Sequence, residues 1–180
     1  MAVGPVPHRF SVAEYRQMGV GGVFGEDARV ELIDGEVVEM TPIGARHAAC
    51  VNRLNRLLVE ALGDRAVVSP QNPVQVSHWS EPEPDIAVLR PRADFYAERL
   101  GEPGDVLLLI EVADTSGAYD RSVKVPLYLD AGVPEVWVVD VAGGVVDVFT
   151  VAGGFRRGPG ETITPLGLPD LVVEVADILG

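Results

Sequence analysis

The stretch Val106 to Lys124, VLLLIEVADTSGAYDRSVK, constrains the fold of this chain more than any other. Val106 to Ile110 are all apolar and follow the turn-like EPGD, so they read as a strand buried on both faces. Glu111 sits inside that setting, with Val112 and Ala113 after it. A carboxylate flanked by buried strand residues is costly unless something pairs with it. A polar loop, Asp114 to Tyr119, then leads to Asp120, which reads as a helix cap, and Lys124 falls about one turn later. One strand–loop–helix unit thus presents a carboxylate from the strand and an ammonium group from the helix.

Lys124 is the only lysine; the other 13 of the 14 basic residues are arginines. A chain rich in Ala, Gly, Val and Pro often uses arginine wherever a cation will serve. A lysine that persists against that bias marks a place where arginine fails. Arginine is a broad planar fork that stays charged, whereas lysine is a compact point charge with a tunable pKa.

The length of 180 residues suits one domain, residues 1–180, with a real core. Hydrophobic residues make up 47 %, which fits a globular rather than a disordered chain. No apolar run approaches the roughly 20 residues needed to span a bilayer. MAVGPVPHRF has neither the basic nor the apolar region of a signal peptide, and the one cysteine, Cys50, excludes an internal disulfide. A cytoplasmic protein without membrane contact is the expectation. The net charge of −13 argues against nonspecific nucleic-acid binding through a basic face and suits a metal or a cationic partner.

Ser11-Val12-Ala13-Glu14 has the form of a capping box and predicts a short helix through Met18. GVGGVFG follows a helix and does not complete a dinucleotide fingerprint, so it reads as a loop. Val30 to Met40 is a hairpin turned at Asp34-Gly35, with Glu31 on its first strand and Glu39 on its second. Ala45 to Leu62 carries apolar residues at helical spacing, begins near His47 and stops at Gly63. Val74 to Val76 alternates like a strand. Glu81 and Glu83 in SEPEPD read as a solvated turn, whereas Asp85 leads directly into a short buried strand, Ile86 to Leu89. A short helix is expected around Phe95 to Leu100. Pro126 predicts a kink or a late start, near Ser122, for the helix that ends at Ala131-Gly132. Val136 to Val139 is another buried strand, followed by an antiparallel meander from Gly143 to Phe155 and a last strand near Leu171 to Val175. The fold class is α/β or α+β, with a mixed central β-sheet flanked by helices.

Several chemistries lack their residues. There is no G-x-x-x-x-G-K-[ST] and no G-x-S-x-G, and His8, His47 and His78 have no zinc-ligand spacing with Cys50. An oxygen-ligand cluster remains. Asp85 begins one buried strand and Glu111 ends the next long one, so neighbouring strands can bring the two carboxylates together. Two such groups repel unless a hard cation such as Mg²⁺ lies between them, and Lys124 would balance remaining charge. Carboxylates, a hard cation and a lysine are the equipment for hydrolysing a phosphodiester. On spacing alone, a plain buried Glu111–Lys124 ion pair explains the pattern equally well.

Pro84-Asp85 followed by Ile110-Glu111-Val112 resembles the PD-(D/E)XK nuclease superfamily. ELIDGEVVEMTPIGARH, PEPDIAVLRP, LLIEVADTS and YDRSVKVPLYLDAGVPEVWVVD resemble, more specifically, the Uma family of bacterial proteins described as endonucleases. The likeness runs from about Val30 to Phe149. It implies a restriction-endonuclease-like core, with the hairpin before it and the meander after it. It implies Asp85 and Glu111 as metal-binding acidic residues, with the backbone carbonyl of Val112 as a further ligand. The superfamily lysine would fall at Ala113; in this family it resembles a lysine moved to the following helix, which is Lys124. Glu31 and His47 match the family's early acidic and histidine positions, as metal-linked or substrate-facing residues.

The expected activity is a Mg²⁺- or Mn²⁺-dependent endonuclease acting on DNA, with Asp85, Glu111 and Lys124 as catalytic residues. A homo-oligomer is compatible with this reading. The rivals are a non-catalytic interaction module on the same fold, which the acidic charge favours, and a metal-dependent hydrolase of a small phosphodiester. Arg46, Arg53 and Arg56 on one helix, with Arg121, are candidates for a local basic rim.

Overall fold

The computed structural model describes residues 4, 6–25 and 27–180. The N-terminal stretch MAVGPVPHRF, expected not to be a signal peptide, lies in part outside these. Ser11 and Glu14 form the expected reciprocal cap, and α1 runs Val12–Val20. β1 (Val30–Ile33) and β2 (Glu36–Glu39) form a separate two-stranded hairpin. Asp34 and Gly35 both take positive φ, 52° and 84°, as a two-residue hairpin turn of this kind requires. α2 spans Ala45–Leu62 and buries Cys50, Val51, Leu54, Leu58 and Leu62 along one face.

The central sheet has six strands: β3 (Val67–Pro70), β4 (Ile86–Leu89), β5 (Val106–Ala113), β6 (Val136–Asp140), β7 (Val145–Thr150) and β8 (Gly153–Arg157), in that order. Only β5 and β6 run parallel; the other neighbours are antiparallel. The parallel pair needs a crossover, and the helical segment from Gly117 to Asp130 provides it. β9 (Thr162–Ile163) pairs with β10 (Val173–Glu174), and α5 (Val175–Leu179) packs beside α2.

The sheet is buried on both faces, which explains the unbroken apolar runs of β4 and β5. Ile86, Val88, Leu108, Ile110 and Val112 pack under α2 with Trp137. Ala87, Leu89, Leu109 and Ala113 pack on the opposite side with Val125, Tyr128 and Val138. Strand alternation therefore turns Glu111, between Ile110 and Val112, toward the second side, where the crossover helix lies. No helix among the described residues is long and apolar enough to cross a membrane.

The crossover differs from expectation. The helix starts at Gly117, so Asp120 is not its cap. α3 (Gly117–Tyr119) passes through a π-turn, Asp120–Lys124, into α4 (Val125–Asp130). The Val125 amide donates to the Asp120 carbonyl five residues back. Pro126, which has no amide proton, follows at once. The wide turn takes the place of the predicted kink or late start, since the chain adjusts just ahead of the residue that cannot donate.

Other expectations fail for local reasons. Val74 to Val76 is not a strand, because Val74 makes only an isolated bridge to Gly101. β3, which carries no clear strand signal in the sequence, pairs with β4 at the sheet edge instead. Phe95 and Tyr96 both take positive φ, 49° and 65°, so residues 95–100 form turns and no helix. Glu81 is buried, bridges Leu32 through its backbone and pairs with Arg16. Glu83 pairs with Arg29 at 3.3 Å, so neither glutamate belongs to a solvated turn.

Candidate active site

A single pocket of about 430 Å³ gathers Glu31, His47, Asp85, Glu111, Val112 and Lys124. Glu111 and Val112 are neighbours on β5, and the others arrive from four separate parts of the chain. The antiparallel register pairs Ile86 with Ile110, so the next position outward sets Asp85 beside Glu111. The Asp85 carboxylate accepts the Val112 amide proton at 2.8 Å through Oδ2. Its Oδ1 lies 2.8 Å from His47 Nε2, in the first turn of α2. That hydrogen bond outweighs the loss of hydration and, aided by the Val112 carbonyl, raises the His47 pKa.

Lys124 is 4 % exposed and bridges two carboxylates. Its Nζ lies 3.0 Å from Glu31 Oε2 and 3.3 Å from Glu111 Oε1. Glu31 also accepts the Glu83 amide proton at 3.2 Å, which ties the hairpin to the strap before β4. Burial would depress the Lys124 pKa, but the flanking Glu111 and Glu31 charges outweigh it and raise it. Burial raises the Glu111 carboxyl to about 8, against the opposing pull of Lys124. The pair therefore carries its ammonium securely and its Glu111 carboxylate at a cost.

Three further participants are not among the candidate site residues expected from the sequence. Tyr128 is fully buried and donates its hydroxyl to Glu111 Oε1 at 2.6 Å. Asp120 is buried, accepts the Ser116 hydroxyl at 2.6 Å and has its pKa raised by burial. Asp120, Lys124 and Tyr128 follow one another at four-residue steps, the spacing of one helix face, and that periodicity was the available signal. The third is Asp114 at the pocket wall. Arg46 stands 2.8 Å from its Oδ1 without the alignment to donate, so that buried oxygen has no hydrogen-bond partner.

The arginines expected as a basic rim all have partners, although Arg46 and Arg56 stay exposed. Arg46 lies against Asp114, Arg53 donates to the Ile178 and Leu179 carbonyls, and Arg56 pairs with Glu60 at 2.8 Å. Arg121 donates to Asp140 and Asp147.

The pocket is lined by seven carboxylate side chains against Arg29, Lys124 and His47. Asp85, Glu111 and the Val112 carbonyl could supply an all-oxygen donor set, which suits a hard divalent cation. Among the described residues no three His, Cys, Asp or Glu side chains meet at one metal position. A cation held by two carboxylates and a carbonyl would keep positions for water and a phosphate oxygen, the usual preference of Mg²⁺. The donor chemistry and the charge excess both fit such an ion.

A mixed sheet, an acidic residue just ahead of β4 beside another within β5, and a lysine on the crossover helix define a restriction-endonuclease-like core. The chain belongs to the Uma2 family, described as "Putative restriction endonuclease", whose model matches residues 12–160. The fold is similar to the crystal structure of a putative nuclease belonging to DUF820 from Anabaena variabilis ATCC 29413. That similarity has a TM-score of 0.77 at 15 % identity and covers 94 % of this chain and 97 % of the other. No curated protein matches the chain.

Proposed function

We propose that this chain is a Mg²⁺-dependent endonuclease that hydrolyses DNA phosphodiester bonds in the cytoplasm, with Mn²⁺ as an alternative ion. The observation that carries the reading is the Lys124 ammonium, buried between Glu31 and Glu111 in the pocket that also holds Asp85. Asp85, Glu111 and the Val112 carbonyl would hold the cation. When bound, the cation would polarise the scissile phosphate and offset its growing charge. His47 and the Val112 amide fix the Asp85 carboxylate from two sides. Lys124 would orient the attacking water and stabilise negative charge on the phosphoryl oxygens. Its raised pKa keeps it protonated, so it serves as a charge and a donor rather than as a general base.

The test is cleavage of duplex and single-stranded DNA in Mg²⁺ or Mn²⁺ by wild type and by Asp85→Asn. Cleavage by wild type alone supports the reading. Cleavage of small phosphodiesters but not of DNA would assign the site to a smaller substrate.

The paired arginines and the net charge of −13 favour a second reading, a non-catalytic module that keeps the fold. It predicts no metal-dependent cleavage. It also predicts, with Ca²⁺ present, either no DNA binding or a salt slope near zero, since few phosphates would be neutralised.

A further inference from the structure

We infer that Tyr128 is a positioning residue for the metal site, resting on the proposal that Glu111 holds the cation. Lys124 and Tyr128 stand four residues apart across the start of α4, and both reach the same oxygen of Glu111. The hydroxyl donates to Oε1 at 2.6 Å and the ammonium lies 3.3 Å from it. Oε1 thereby accepts one hydrogen bond and faces one ammonium, both from one helix face, and Oε2 is the oxygen left to a cation. Asp85 is fixed at both oxygens, Oδ1 by His47 and Oδ2 by the Val112 amide. Each proposed carboxylate ligand is thus oriented by groups other than the donor atoms assigned to the ion, an arrangement that strengthens metal sites.

Tyr128 has other possible uses, and the geometry bears on them. It is fully buried among Val125, Val133, Val136 and Val138, with the hydroxyl as its one polar atom. A phenylalanine would fill that apolar space equally well. The tyrosine is therefore needed for the contact with Glu111 and not for filling the core.

The test is a Mn²⁺ titration of wild type and Tyr128→Phe, read by melting temperature, with cleavage assayed alongside. We expect nearly equal melting temperatures without metal. The Mn²⁺ midpoint for Tyr128→Phe should be 10- to 100-fold higher, and cleavage should recover at saturating Mn²⁺. An unchanged midpoint in a wild type that binds Mn²⁺ would overturn the role of Tyr128 alone. No metal-induced shift in wild type would overturn the metal site and this inference together. Should Tyr128→Phe fail to fold, Tyr119→Phe protein labelled with 3-fluorotyrosine gives the same answer by fluorine NMR. The Tyr128 resonance should move on adding Mg²⁺, and a resonance that stays fixed would overturn the assignment.

Discussion

Lys124 lies 3.0 Å from Glu31 Oε2, so the crossover helix and the N-terminal hairpin meet through one ion pair. The hairpin belongs to a separate two-stranded sheet, yet it supplies one of the two carboxylates that flank the ammonium. Glu31→Gln keeps an acceptor for the Glu83 amide but removes a charge from Lys124. Cleavage should fall at least tenfold while the melting temperature changes little. Steady-state rates and thermal melts on the same preparations check this.

Asp85→Asn should leave the fold intact, because an amide oxygen can still accept the Val112 proton. It should remove most of the melting-temperature increase that Mg²⁺ gives wild type. An equal increase in both proteins would place the cation elsewhere on this acidic surface.

Metal binding should also depend on pH in a defined direction. Burial raises Glu111 to about 8, so in the metal-free protein its contribution to stability is present at low pH and is lost as pH rises through about 8. A cation needs the ionised carboxylate. The Mg²⁺-induced melting shift should therefore grow between roughly pH 6.5 and 8.5. A shift independent of pH over that window would separate the cation from Glu111.

Lys124→Met removes the ammonium from two buried carboxylates, a change that typically costs about 3–5 kcal/mol. Glu111 can relieve part of this by taking up a proton. The stability deficit should thus be smaller near pH 6 than near pH 9, as measured by urea unfolding.

Much of this site was legible in the sequence, for identifiable reasons. The helix Ala45–Leu62 has a long periodic apolar face and a glycine stop, and its bounds match those expected. The Asp34-Gly35 turn needed positive φ and supplied the residues for it. Asp85 and Glu111 could be paired because each borders a continuous apolar run. What stayed hidden depends on partners far away in the chain. Glu81 reads as solvated until Arg16, 65 residues away, is folded against it. Asp120 reads as a cap because a cap and a buried acceptor look alike, and the Ser116 hydroxyl decides between them. Tyr128 has an apolar ring that follows the helix period, and nothing local shows that its hydroxyl meets a carboxylate 17 residues back.

The most direct measurement compares Mg²⁺-dependent DNA cleavage by wild type and Lys124→Arg, with melting temperatures as a control. Arginine keeps the charge, but its wide fork does not fit the compact position between Glu31 and Glu111. If Lys124 stabilises the reacting phosphate, Lys124→Arg should stay folded and cleave about 10²–10³-fold more slowly, equivalent to roughly 3–4 kcal/mol. Cleavage by Lys124→Arg at the wild-type rate would contradict that role and leave Lys124 as a structural ion pair.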